Sequence, residues 1–144
     1  MGFAMRQQFN EEIIKKHSVQ DMYINGKKQG FCFDVQLACY RGHYLSTIDT
    51  FEVYVDGVCM PSEAITFELK GKEMPLYKLK YAISEFWSQV ELAKVRVLTP
   101  GGLSTGEHEI ELKLMLHVPY MQIGPDHNFM PLDSGDKVSI CVKG

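Results

Sequence analysis

Long hydrophobic runs are missing from this sequence. No apolar stretch in its 144 residues approaches the roughly 18 needed to cross a bilayer as a helix. A basic excess is missing too: 15 Lys and Arg stand against 18 Asp and Glu, for a formal net charge of −3. Nucleic-acid binders neutralise phosphates with surplus cations, so this balance argues against that partner class. Cysteine is sparse, with Cys32, Cys39, Cys59 and Cys141 and no Cys-x-x-Cys pair of the kind a structural zinc site uses. The glycine-rich stretch Gly101-Gly102-Leu103-Ser104-Thr105-Gly106 lacks the Lys-Ser/Thr of a phosphate-binding loop and reads as a hairpin loop. Repeats, low-complexity tracts and linkers are absent. The opening residues Met1–His17 carry charge too early and too evenly for a secretory signal. The expectation is a cytoplasmic protein, without membrane attachment, whose thiols are reduced.

What is present is a period of two. Phe31, Phe33, Val35, Leu37 and Cys39 alternate with Asp34 and Gln36. Side chains of a strand point to alternate faces, so this segment is a strand with one buried face. Phe51-Val53-Val55, Ile65-Phe67-Leu69, Ala93-Val95-Val97 and Val138-Ile140-Val142 repeat the pattern. The longest run is Ile110 to Val118. Turn signals separate them at Asn25-Gly26, Asp56-Gly57, Gly71 and Pro100-Gly101-Gly102. Tyr77–Val90 shows no clean 3.6-residue spacing and reads as irregular or a short helix. Strands that each bury one face need a second sheet opposite them. The predicted fold is therefore all-β, an antiparallel β-sandwich of jelly-roll type. It forms a single domain over 1–144, with residues 1–20 a peripheral amino-terminal segment.

The inner positions are Phe, Val, Leu and Ile, which fill a core and coordinate nothing. Cys32 and Cys39 fall on opposite faces of one strand, as do His108 and His117, so no metal site is expected on this chain. Ser46 near His43 reads as part of a loop in which Gly42 permits an unusual turn. Two loop clusters stand out. They are Tyr40-Arg41-Gly42-His43-Tyr44 and the segment Tyr120–Met130 that contains His127 and Phe129. Tyr, Met, Arg and His are types at home in interfaces. The second cluster is apolar without period two, so it either packs back on its own domain or docks on a partner. Phe86-Trp87 reads as a core plug or as a ligand platform.

The order of motifs is itself informative. Gly30-Phe31-Cys32-Phe33 leads to Cys39-Tyr40-Arg41-Gly42, Leu45-Ser46 and Phe51-Glu52-Val53-Tyr54-Val55-Asp56-Gly57. Trp87, Pro100-Gly101-Gly102-Leu103, Gly106-Glu107-His108 and Pro119-Tyr120-Met121 follow. Over residues 20 to 121 this series resembles the β subunit of bacterial C-glycoside deglycosidases. The resemblance implies a small β-sandwich in a hetero-oligomer with a larger α subunit, a TIM barrel holding a divalent metal, manganese. It implies a carbon–carbon lyase that separates the anomeric carbon of a 3-oxo-C-glycoside, such as a flavonoid C-glycoside, from its aromatic aglycone. No catalytic residue and no cofactor are expected on this chain. Docking is expected at one end of the sandwich, where both loop clusters meet if the strands before them run parallel. Tyr120 and Phe129 would anchor it, Tyr44 would lie at the interface or near substrate, Arg41 would form an ion pair or clamp a carbonyl, and His43 and His127 would approach substrate. The alternative is a non-catalytic carbohydrate-binding module that stacks sugars on Trp87, Tyr81 and Phe86.

Overall fold

Among the described residues, period two resolves into twelve antiparallel strands. They are β1 (Gln20–Ile24), β2 (Lys27–Val35), β3 (His43–Tyr44), β4 (Ile48–Val55), β5 (Val58–Cys59) and β6 (Ile65–Leu69), then β7 (Lys72–Pro75), β8 (Phe86–Trp87), β9 (Ala93–Leu98), β10 (Gly106–Ile123), β11 (Asn128–Asp133) and β12 (Asp136–Val142). The computed structural model describes residues 13–37, 42–88, 90–123 and 128–142, with side chains described outside 118–132. One sheet runs β1-β2-β9-β6-β7 and the other β11-β10-β4-β5, with β12 also paired to β10. A two-stranded ribbon, β3-β8, closes one end. The sandwich expected from the alternation is the fold found.

Three hairpins turn through residue pairs that both have positive φ: Asn25-Gly26, Asp56-Gly57 and Lys70-Gly71. Such pairs match the right-handed twist of the strands they join. The Gly101–Gly106 stretch is not a hairpin, contrary to expectation. It carries the chain from β9 in one sheet to β10 in the other. Both edges of β9 are already taken, by β2 and β6, so β10 finds its partners elsewhere. The irregular stretch after Lys72–Pro75 becomes a 3-10 helix over Leu76–Tyr81, followed by β8.

Two residues of the amino-terminal segment lie in the core. Ile13 and Ile14 are fully buried, and Ile14 bridges to Val35. Adjacent residues cannot both face inward in a regular strand. Here the Asp136 carboxylate accepts from both amides, Ile13 N at 3.1 Å and Ile14 N at 2.9 Å, and holds the chain off strand geometry.

Between the sheets, Ile110, Leu112, Leu114 and Leu116 of β10 face Phe31, Phe33, Val95 and Val97. Phe67 meets Phe51 edge-on at 5.7 Å between ring centroids and Trp87 at 5.4 Å. One ring thus ties β4, β6 and β8 together. Gly30 matters for close approach: a Cβ there would lie 2.1 Å from the Val97 carbonyl oxygen. That atom belongs to the paired strand and cannot rotate away. Gly30→Ala is expected to lower stability by about 1–3 kcal/mol, read as a lower urea midpoint at unchanged slope. An unchanged midpoint would show that β2 and β9 can part without cost.

Candidate functional site at the ribbon end

Chain leaving β2 and chain leaving β4's amino end converge on the β3–β8 ribbon. His43 pairs with Trp87, and Tyr44 with Phe86. Gly42 precedes them because a Cβ would lie 2.6 Å from both the Phe86 ring and the Trp87 carbonyl oxygen. Its φ is not in the left-handed region, so close approach rather than an unusual turn requires glycine here. Tyr44 packs edge-on against Phe86 at 5.0 Å. The Thr47 hydroxyl donates to the Tyr44 carbonyl at 2.8 Å, and Leu45 N donates to the Glu85 carbonyl at 2.9 Å. Trp87 is fully buried, and its Nε1 donates to the Glu91 carbonyl at 3.0 Å. It is therefore the core plug and not a sugar platform; of the three platform residues only Phe86 and Tyr81 are exposed.

His43 retains only 6% of its surface. Burial holds its pKa below the ordinary histidine value, and the nearby charge of His117 pushes the same way. The carboxyl half of β10 therefore reaches the same end as the chain that follows β2. His117 Nδ1 lies 2.9 Å from Asp49 Oδ1. Asp49 is a bulge residue: Thr50 pairs with Met115 and Ile48 with Leu116, which leaves Asp49 unmatched. A bulge adds one residue to one strand and re-aims its side chain. This histidine–carboxylate pair escapes a reading by parity alone. The available signal is that Ile48 and Phe51, three residues apart, are both apolar ahead of a period-two strand.

Of the other expected site residues, Arg41 and His127 lie outside the described residues, as do Tyr40 and Cys39. Tyr120 and Phe129 are placed by backbone only. The Tyr120–Met130 segment is not simply a loop: it runs through the end of β10 and the start of β11. Val118 pairs with Met130 but Gln122 with Phe129, so residues 119–121 have no partner on β11. Pro119 brings no N–H to a ladder, and this break hides the strand's period.

A second constellation sits at the far end of β10. His108 Nδ1 lies 2.7 Å from Asp56 Oδ2, and its Nε2 lies 2.7 Å from the Ser104 carbonyl and 3.2 Å from the Ser104 hydroxyl. The set resembles a nucleophile triad in composition only. A carbonyl can only accept, so Nε2 carries a proton and cannot serve as base. Glu109 N also donates to Asp56 Oδ1 at 2.8 Å. The carboxylate partner raises the His108 pKa above the ordinary value; the Glu109 amide first, and then His108, lower that of Asp56. Nine residues of strand, roughly 30 Å, separate this brace from His117. Among the described residues no group of three or more His, Cys, Asp or Glu side chains is placed to hold a metal ion. Cys32, Cys59 and Cys141 are free thiols.

The two shifted histidines have opposite signs. The raised His108 contributes stability that is full below pH 6.5 and fades as pH rises through its folded pKa. The lowered His43 contributes stability that is present above pH 6.5 and fades as pH falls through its folded pKa. Histidine proton resonances are expected to titrate on opposite sides of 6.5, with His43 below. His43→Leu should flatten the loss of stability on the acid side of 6.5 and leave the alkaline side unchanged. A His43 that titrates above 6.5 would show that the ribbon end is open to water.

The sequence profile of the family described as C-glycoside deglycosidase beta subunit matches residues 9–120. A C-glycoside deglycosidase beta subunit of Eubacterium cellulosolvens is 32% identical over 97 residues, covering 67% of this chain and 66% of that protein. One from Arthrobacter globiformis is 31% identical over 107 residues, covering 74% and 81%. A 3'-dehydrocarminate deglycosidase beta subunit of a Microbacterium species is 30% identical over 116 residues, covering 80% and 83%. Most of the sandwich, from before β1 to the last turn of β10's ladder, lies inside the matched region, and the chain belongs to the C-glycoside deglycosidase beta subunit family.

Proposed function

We propose that this chain is the small subunit of a complex that cleaves the carbon–carbon bond between the anomeric carbon of a 3-oxo-C-glycoside and its aromatic aglycone. The observation that carries the reading is the family match over residues 9–120. The name of the Microbacterium relative assigns a 3'-dehydro substrate to that protein, in keeping with a keto group beside the reacting carbon. The partner in this reading is a TIM-barrel α subunit whose divalent metal, manganese, would supply Lewis-acid stabilisation to an oxyanion. A C3 ketone acidifies the C2 proton. Loss of that proton and expulsion of the aglycone at C1 form a C1–C2 double bond, and the departing ring carbon takes up a proton. Atoms and electrons balance without an oxidant.

The chain's own residues support this chemistry rather than perform it. His43, buried and with its pKa held below the ordinary histidine value, fills the ribbon end. Asp49 orients His117 on the neighbouring strand. Tyr44 and Phe86 present aromatic edges suited to an aromatic group or an apolar partner surface. Arg41 and His127 are the polar groups that this reading assigns to the shared site. The described residues contain no helix long and apolar enough to cross a membrane, and the proposed location is the cytoplasm. The rival reading as a carbohydrate-binding module loses its main platform residue with the burial of Trp87.

Co-expression with a barrel subunit from the same organism tests the proposal. A 3-oxo-C-glucoside should be cleaved by the two chains together and by neither alone. Full activity of the barrel subunit without this chain would overturn it.

A further inference from the structure

Exposed apolar side chains of the described surface gather beside the ribbon. Tyr77, Tyr81 and Ile83 are 68%, 69% and 75% exposed, and Tyr44 and Phe86 are 47% and 39% exposed. Four of the five fall within Leu76–Phe86, where the 3-10 helix buries only Leu79. The fifth, Tyr44, touches Phe86 and leads into the Leu45–Thr47 turn, which packs on that same 3-10 helix. Aromatic side chains carry about 200 Å² each, so the five together bare on the order of 600 Å². That is at the upper limit of what a monomer usually exposes in one patch. Tyr23, Ile24, Val58 and Leu98 are also exposed, but they lie at the β1–β2 and β4–β5 turns and the end of β9, and Val90 and Leu92 are exposed between β8 and β9.

Among the described residues, four lysines and three carboxylates (Asp49, Glu85 and Glu91) border this face, and two of the lysines have carboxylate partners. Lys70 and Lys72, at its margin, are held by Glu91 and Glu85. Lys80 lies 5.1 Å above the Tyr81 ring and Lys78 has no carboxylate beside it among the described residues. A groove lined by Asp49, Tyr77 and Lys80 joins the patch to the Asp49–His117 pair.

We propose that this Tyr44–Phe86–Tyr77–Tyr81–Ile83 face seats the larger subunit, and that the partner meets it with an apolar surface rimmed by carboxylates. The assignment rests on the reading of the chain as a β subunit. A second copy fits poorly, because a twofold interface uses the same patch on both copies and would bring Lys78 and Lys80 of each into one interface. A lipid surface fits poorly as well, since anionic membranes are held by clusters of roughly four to eight cations. The proposal moves the main anchors from Tyr120 and Phe129 to the 76–86 segment.

Tyr81→Glu and Ile83→Glu test it, with Tyr23→Glu as the control on the opposite sheet edge. Assembly of each full chain with the larger subunit is measured by sedimentation, and thermal melts confirm that the variants fold. Parent and control should assemble, while the two patch variants bind at least tenfold more weakly with unchanged melting. Lys78→Glu should weaken binding most at low salt. Patch variants that assemble like the parent would overturn the proposal. So would a parent homodimer that Tyr81→Glu dissolves, or parent chain that sediments with phosphatidylserine vesicles and is released by Ile83→Glu. Failure of the parent itself to assemble with any larger subunit would instead remove the reading beneath it.

Discussion

Phe67 is the joint on which the rest of the molecule depends. Its ring meets Phe51 of the opposing sheet on one side and Trp87 of the ribbon on the other. Edge-to-face contacts of this kind add about 0.5–1.5 kcal/mol each beyond simple burial. More important is what they fix. Trp87 can present its partner His43 to the interior only if the ribbon stands at one angle to both sheets. Gly42 then has to pass the Phe86 ring and the Trp87 carbonyl without a side chain. Through these two contacts the ribbon, with His43 buried and Tyr44 and Phe86 exposed, is tied to both sheets.

Three of the motifs that carry the family resemblance do a different job. Val55-Asp56-Gly57, Gly101-Gly102-Leu103 and Gly106-Glu107-His108 come together at the far end of β10. Asp56 takes His108 and the Glu109 amide, His108 takes the Ser104 carbonyl, and Leu103 N donates to Asp21 at 3.3 Å. Lys28 holds the same Asp21 at 3.2 Å and crowds Gly102 so closely that a Cβ there would lie 2.6 Å from its side chain. These residues brace the crossing between the sheets. They lie roughly 30 Å from the candidate site, where Gly42, Leu45 and Trp87 of the same motif series stand.

The sandwich was legible because its strands bury one face each and nothing else has period two. The inner faces of β2, β4, β6, β9 and β10 follow from the alternation, and the described core agrees. Illegible elements share one cause: a local feature that breaks the period. Asp136 lets Ile13 and Ile14 both turn inward. The bulge at Asp49 and the unpaired residues 119–121 shift register inside long strands. Ser134 and Gly135 interrupt what would otherwise be one strand, β11 running into β12; a Cβ at Gly135 would lie 2.6 Å from the Leu112 carbonyl. Of the candidate site, His43 and Tyr44 were named from sequence. Asp49 and His117 were not paired, because 68 residues separate them and only the bulge joins them.

The two ends of the molecule differ in how their groups are satisfied, and the difference has an energetic meaning. At the brace end Asp21, Lys28, Asp56, Ser104 and His108 close on groups of the same chain, which leaves little for a partner to gain. At the ribbon end on the order of 600 Å² of apolar surface stays in water. At about 25 cal/mol per Å², covering it would release a gross 15 kcal/mol or so. Association itself costs about 4–15 kcal/mol, and a standard interface covers roughly 800 Å² per partner. The patch therefore approaches a full footprint and can carry a stable complex only if most of it is covered at once. Covering it also deepens the burial of His43, which already disfavours a charged imidazole there. A partner that docks on these rings thus works with the existing desolvation of the ribbon end, not against it.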